Sequence, residues 1–188
     1  MALPVKTLQP LACDCDGLPA ESRSGGVSMS ALPQHRPIAE LFGVPPAPRR
    51  GRDRLLHVAI ELFYAHGFQA VGLDRIIAEA GITKTAFYKH FECKDDLIVA
   101  AIRQRDEWEM EAWQRAILSL AGPDPRKQLL AMFDVLDQWF NDPGFRGCIF
   151  VNAAVEFPDP RDPVHRAAAE HKRRNRDYFR DLAAAAGA

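Results

Sequence analysis

The sequence predicts an all-α fold, with three short helices towards the N-terminal side and a larger helical region after them. Apolar residues recur at helical spacing from about residue 52 onwards, and almost no segment alternates as a strand would. Clusters of Gly and Pro separate the helical segments. We therefore expect a tail over residues 1–48, a three-helix domain over 49–94 and a helical domain over 95–188.

The first 48 residues have the composition of a disordered segment. They contain 8 of the 14 prolines and the run SRSGG, and they show no apolar periodicity that could build a core. Met29 is an internal methionine followed by a more typical N-terminal sequence, so translation from Met29 is an alternative to translation from Met1. We expect residues 1–28 to be dispensable.

The first predicted helix begins near residue 52 and ends at Gly67. Polar residues lie between its apolar ones, so the helix can pack on one side and meet water on the other. Gly67 can adopt the left-handed conformation in which many helices end. The apolar face consists of Leu55, Leu56, Ala59, Leu62 and Phe63.

The second predicted helix, residues 73–80, is joined to the third by a short turn. Gly72 is an acceptable N-cap, and Gly81 can take a positive φ at no steric cost. Ile82 is expected to fill the angle between the two helices. Two short helices joined by a turn that contains Gly form a helix–turn–helix unit. The residues expected to be buried are Ile76, Ile77 and Ala80.

The third predicted helix begins after Thr83, its expected N-cap, and turns Phe87 and Phe91 inward. The free N–H groups at its start favour an anion such as a phosphate. Its outward residues are Lys84, Thr85, Tyr88, Lys89 and His90.

This outward face has the chemistry of DNA recognition. Lysines can bind phosphates or guanine edges, and Thr85 can contact a base edge or a thymine methyl group. Residues 49–94 contain 8 Lys and Arg against 5 Asp and Glu, although the whole chain has a net charge of −1. The alternative is a helical hairpin whose basic residues are merely solvated. The predicted DNA-binding residues are Arg52, Arg75, Thr83, Lys84, Thr85, Tyr88, Lys89, His90 and Lys94.

Residues 52–97 resemble the N-terminal domain of the tetracycline-repressor (TetR) family of bacterial regulators. The shared pattern is AxxLFxxxGFxxxGxxxIxxxAGxxxxxxYxHFxxKxxL, present here from Ala59 to Leu97. The resemblance implies an all-helical dimer with a small-molecule pocket behind the DNA-binding domain. Gly72 departs from the Ser or Thr that commonly caps the second helix, and Cys93 departs from the usual Ser or Pro.

Four further helices are predicted after Lys94, at about residues 95–120, 126–141, 147–157 and from 162 onwards. The third of these, GCIFVNAAVEF, is apolar nearly all round, so we expect it at the buried centre. Asp162 is the expected N-cap of the last helix, with Pro163 in the first turn. The apolar stripes of the first two are Met110, Trp113, Ile117 and Leu120, then Leu129, Phe133, Leu136 and Phe140.

A candidate ligand site follows from two polar residues in that apolar segment. Asn152 and Glu156 lie one helical turn apart, and burying them is costly without partners. They either pair with neighbours such as an Arg or His171, or they face a cavity. The alternative to a ligand site is that the polar pair forms satisfied structural hydrogen bonds and the aromatic residues belong to the core. The string GCxFxNAAxEF also resembles the C-terminal domain of one TetR subgroup, which implies an effector pocket among the last four helices. The predicted lining is Trp113, Phe133, Trp139, Phe150, Asn152, Glu156 and His171.

The expected oligomer is a homodimer, because helix–turn–helix proteins place two recognition helices about 34–36 Å apart. The resemblance implies that the two most C-terminal helices of the family form much of the dimer interface. About 94 residues follow Lys94, enough for four helices but not six. The dimer is therefore doubtful for this chain, and we expect weak self-association and exposed apolar surface on the sixth and seventh helices.

Other function classes find little support in the sequence. No run of 18 apolar residues or charged leader with an apolar core is present, so we expect a cytoplasmic protein with no membrane partner. The four cysteines are expected to be reduced thiols, and no metal site or cofactor is expected. No nucleophile–base pair or Gly-rich phosphate loop appears, so we expect no catalytic residues and no enzyme.

The predicted function is a ligand-responsive transcriptional repressor that binds a palindromic operator in double-stranded DNA and an unidentified small-molecule effector. The alternative is a helical small-molecule sensor that lacks effective DNA binding because its dimer interface is incomplete.

Overall fold

The computed structural model describes residue 48 and residues 51–187, and these form seven α-helices with no strand among them. The all-α prediction is confirmed. The predicted disordered tail lies, apart from its last residue, outside the described residues. The helices are α1 (Gly51–His66), α2 (Leu73–Ala80), α3 (Lys84–Tyr88), α4 (Lys94–Ala121), α5 (Pro125–Phe140), α6 (Ile149–Glu156) and α7 (Pro163–Ala185).

Residues 51–93, here called the head, contain the three N-terminal helices, and the residues predicted to begin and end these helices do so. Gly67 follows α1 with φ +86°, and Gly81 ends α2 with φ +67°. Gly72 caps α2 without a side-chain hydrogen bond, whereas the hydroxyl of Thr83 accepts a hydrogen bond from the backbone N–H of Ala86 (3.1 Å). The helix–turn–helix unit is therefore present with its predicted caps.

One hydrophobic cluster extends from the head into the C-terminal helices. Phe63 and Phe68 of the head belong to the same cluster as Phe150 of α6 and Val164 of α7. Phe68 contacts Phe157 edge to face, with ring centroids 6.2 Å apart. The boundary near residue 94 stays a prediction, because the core is continuous across it.

A second, smaller cluster lies at the far end of α4, a helix of 28 residues. Small side chains let α4, α5 and α7 approach closely there, and aromatic side chains close the edges. The buried residues are Ala112, Ala116, Ile117, Ala131 and Val135, and those packed around them include Trp108, Trp113, Tyr178 and Phe179.

Two sequence-based expectations about burial were wrong. On α5, Phe133 and Phe140 of the expected apolar stripe are 62% and 55% exposed, because Ala131 and Val135 face the neighbouring helices instead. The segment expected at the buried centre is α6, and it buries one side while Val155 is 72% exposed. Both α5 and α6 therefore leave apolar side chains exposed.

Candidate nucleic-acid interface and ligand region

The outward side of α3 is formed by the residues predicted to recognise DNA. Lys84, Thr85 and Tyr88 lie at positions i, i+1 and i+4, so they share one side of the helix. Phe87 points the other way and is fully buried, with Phe91 packed against it at a ring distance of 5.7 Å. Tyr88 leaves 53% of its surface exposed. The buried aromatics therefore fix the helix while its polar side faces solvent.

The predicted basic residues around α3 differ in how strongly the fold holds them. The Lys84 ammonium lies 3.6 Å from the carboxylate of Asp74, with both side chains mostly exposed. Arg75 donates to Glu79 (2.8 Å) and lies 3.2 Å from the ring of His66. Exposed ion pairs of this kind contribute little to stability and can exchange for phosphate. These contacts orient the basic side chains on the surface.

The remaining predicted contacts lie at the edges of the head. The guanidinium of Arg52 lies 5.3 Å from the centre of the Phe91 ring. Lys89 and His90 are exposed after the last residue of α3, and Lys94 is half-buried at the start of α4. The nine predicted residues thus come from all three helices of the head and from the start of α4. Their roles in DNA binding stay predictions.

A residue that the sequence analysis did not single out, Arg54, joins α1 to the end of α2. Arg54 of α1 donates through Nε to the carbonyl of Ala80 at the end of α2 (2.9 Å). This bond satisfies a carbonyl that the helix end leaves free. The two residues meet because α1 packs against α2, and no local sequence pattern predicts this hydrogen bond.

The polar pair on α6 has backbone partners. Glu156 accepts hydrogen bonds from the backbone N–H of Phe68 (3.0 Å) and of Gln69 (2.7 Å), both in the turn between α1 and α2. Asn152 donates to the carbonyl of Arg146 (3.2 Å). The sequence had offered Arg or His171 side chains, or a cavity, as the surroundings of this pair. The observed partners correspond to the alternative of satisfied structural hydrogen bonds.

His171 is buried in a polar cluster. Its Nδ1 donates to Asp106 of α4 (2.7 Å), and its ring stacks on Phe150 with centroids 3.4 Å apart. Arg174 also donates to Asp106. Burial alone would raise the pKa of Asp106, but the hydrogen bond from His171 and the nearby positive charges lower it below its ordinary value. This cluster joins α4, α6 and α7.

The other predicted lining residues belong to an aromatic cluster at the end of α5. Trp113 and Trp139 meet edge to face with centroids 6.1 Å apart, and Trp139 also contacts Phe145 at 5.1 Å. Phe133 faces solvent instead. The structure therefore separates the seven predicted residues into four groups. Trp113 and Trp139 belong to the aromatic cluster, Phe150 and His171 belong to the His171 cluster, Asn152 and Glu156 bind backbone groups, and Phe133 is exposed.

A groove of about 470 Å³ lies between α1 and α4, away from that lining. Carboxylates border it on both helices, and Ile60 and Trp108 supply apolar surface. Arg105 stacks over Trp108 at 4.4 Å and pairs with Glu109, so that cation is already engaged. The residues bordering the groove are Pro48, Asp53, His57, Ile60, Glu61, Gln104, Arg105, Glu107, Trp108 and Glu111.

Neither a group of side chains that could hold a metal ion nor a helix that could cross a membrane is present among the residues that the structure describes. No group of three or more His, Cys, Asp and Glu side chains is placed to hold a metal ion. None of the helices is both long and apolar enough to cross a membrane.

The sequence matches two family models. Residues 55–101 match bacterial regulatory proteins of the tetR family, and residues 125–188 match the tetracyclin repressor-like C-terminal domain. The first covers α1 to α3 and the start of α4, and the second covers α5 to α7. The two matches together cover most of the head and the last three helices.

Known proteins agree with this assignment. The TetR-family regulator SCO4454 from Streptomyces coelicolor is 42% identical, with a TM-score of 0.65 over 71% of this chain and 69% of that one. The activator FasR from Mycolicibacterium smegmatis is 31% identical over 61% of this chain and 51% of its own length. The regulator YjdC from Escherichia coli is 21% identical over 70% of this chain and 68% of its own. The chain belongs to the TetR family of helix–turn–helix transcriptional regulators.

Proposed function

We propose that this regulator binds operator DNA by inserting α3 into the major groove, and that it acts as a repressor released by a small molecule. The observation that carries the proposal is the polar side of α3, where Lys84, Thr85 and Tyr88 face solvent over a fully buried Phe87. A short helix with one side anchored in the core and the other side polar and exposed has the form of a recognition helix.

The residues divide into two roles. Thr85, on the exposed side of α3, is the candidate for base contact, because a hydroxyl and a methyl group can distinguish base edges in the major groove. Lys84, Tyr88 and the basic residues around them are candidates for phosphate contact, which supplies affinity and sets register. The remaining candidates are Arg52, Arg75, Thr83, Lys89, His90 and Lys94.

The oligomer proposed for DNA binding is a homodimer on a palindrome, as is usual for helix–turn–helix proteins. The sign of regulation needs a direct test, since FasR is named an activator. Repression is proposed here because occupying an operator requires no further partner.

The effector is proposed to bind among the C-terminal helices. Trp113 and Trp139 of the predicted lining form an aromatic cluster with Phe145, and this cluster offers the apolar ring surface that small-molecule sites favour. The groove between α1 and α4 is the other concave region, and its acidic border would favour a cationic molecule.

The test is selection of duplexes from a random library by the purified protein, followed by a reporter assay with the selected sequence. A repressor lowers expression from a promoter that contains the selected duplex, and Thr85→Val alters the preferred sequence. Recovery of random duplexes after repeated rounds would contradict specific DNA binding. Increased expression would show activation instead.

A further inference from the structure

Hydrogen bonds from both ends of one short segment, residues 146–156, tie the head to the C-terminal helices. At its end, both carboxylate oxygens of Glu156 accept from consecutive backbone N–H groups of the α1–α2 turn, 88 and 87 residues away in sequence. At its start, the backbone N–H of Arg146 donates to the hydroxyl of Tyr64 in α1 (2.9 Å). This segment contains α6.

The α1–α2 turn is shaped to receive the carboxylate. Gly67 has φ +86°, and a Cβ atom added there would lie 3.0 Å from Glu156 Oε1. Because each carboxylate oxygen binds a different N–H group, the contact fixes both the position and the orientation of the turn. Residues 70–72 then lead directly into α2, the first helix of the helix–turn–helix unit.

A second side chain of α6, Phe150, contacts the rest of the C-terminal region. Phe150 stacks on His171 of α7 with the two rings nearly parallel, at 8°. His171 is in turn bonded to Asp106 of α4. A change in the packing of α4 or α7 therefore reaches α6 through close contacts between buried groups.

We propose that Glu156 is a positioning residue that makes the placement of the head follow the placement of α6. The α1–α2 turn moves with α6 as long as the carboxylate holds both N–H groups, and α2 and α3 move with the turn. Loss of the carboxylate weakens this coupling, and the hydrogen bond from Arg146 to Tyr64 remains. The consequence for DNA binding rests on the proposed function, whereas the coupling itself is a property of the protein alone.

The first experiment measures amide hydrogen exchange in Glu156→Gln and in a matched control, Asp124→Asn. Glutamine presents one N–H₂ group, so it cannot accept from both amides. Asp124 also accepts from two consecutive backbone N–H groups, those of Arg126 (2.9 Å) and Lys127 (3.4 Å), but at the start of α5. We expect exchange at Phe68 and Gln69 to be about tenfold faster in Glu156→Gln and unchanged in Asp124→Asn, since loss of a hydrogen bond of about 1.4 kcal/mol changes local opening tenfold.

The second experiment tests transmission with a double-mutant cycle. Phe150→Leu should speed exchange at Phe68 and Gln69 in the wild-type background and have no further effect in the Glu156→Gln background. Additive effects in the two backgrounds would overturn the proposal, because they would show that Phe150 reaches the turn by another route. If Glu156→Gln does not fold, Glu156→Asp replaces it, as its shorter side chain cannot reach both amides.

The third experiment uses the duplex that the wild-type protein selects. Glu156→Gln should bind this duplex about tenfold more weakly, and Asp124→Asn should bind it within twofold of the wild type. Equal binding by Glu156→Gln, or unchanged exchange at the turn, overturns the proposal. If the wild type selects no duplex, the proposed function fails, and the exchange experiments still decide the role of Glu156.

Discussion

Lys84 and Thr85 are neighbours on α3, yet their chemistry predicts different effects on DNA binding. Lys84 is a flexible cation whose nearest partner is the exposed carboxylate of Asp74. Thr85 has no charge, and its hydroxyl and methyl groups can distinguish bases. Substitutions at the two residues therefore distinguish sequence-specific binding by α3 from non-specific binding.

Replacing Lys84 with Ala should weaken binding to all duplexes. The slope of log affinity against log salt, which is negative, should become less steep by about one unit. The reason is the loss of one phosphate contact and of the counterions it releases. Binding titrations at several salt concentrations provide the measurement, with Lys127→Ala on α5 as the control. Unchanged affinity at every salt concentration would show that α3 does not face the duplex.

The pairing of Asp106 predicts loss of stability in acid. Its pKa is lowered in the folded protein, so the ionised form stabilises the fold above the unfolded pKa of about 3.9, and that stability is lost as pH falls through the folded value. Unfolding free energy should therefore decrease below about pH 4 more steeply in the wild type than in Asp106→Asn. Denaturant titrations between acidic and neutral pH measure this. Equal acid slopes in the two proteins would refute the assignment.

At the scale of elements, the turns of the head were more predictable than the contacts that hold them. Gly67, Gly81 and Thr83 act at helix ends, where backbone conformation depends on the residue itself. The bonds from Arg54 to Ala80 and from Glu156 to the α1–α2 turn join distant parts of the chain. Local periodicity contains no information about such pairs.

Gly67→Ala should lower stability by about 1–2 kcal/mol, the cost of a left-handed backbone for a residue with a Cβ atom. The added methyl group would also press on the Glu156 carboxylate. Gly72→Ala provides the control, because φ at Gly72 is −75° and nothing lies within 4 Å of the added atom. Thermal unfolding compares the two. Equal melting temperatures would argue against the strained turn.

At the scale of the molecule, the exposed apolar surface differs from expectation. It was expected on the sixth and seventh helices, and the structure shows it on α6 and, more extensively, on α5, where Leu130 is 69% exposed. On α7, Tyr178 and Phe179 are half-buried against the second cluster instead. Large apolar patches lower solubility and favour association.

Phe133→Ser should therefore raise solubility and weaken self-association with little loss of stability, since Phe133 is mostly exposed. Val135→Ala on the buried side of α5 is the contrasting variant, and it should cost stability without improving solubility. Sedimentation velocity at micromolar concentration and thermal unfolding measure the two effects. If Phe133→Ser sediments as the wild type does, the exposed side of α5 takes no part in self-association.

The sequence by itself determined the helix–turn–helix unit and the family, because helix ends, Gly turns and the buried Phe87 are encoded within about forty residues. It also determined the number and approximate bounds of the C-terminal helices, since Pro and Gly interrupt them. Only the tertiary structure decided which apolar residues are covered and what Glu156 and His171 bind. Burial and pairing depend on which distant helices meet, and helical periodicity specifies a face without specifying the neighbour that covers it.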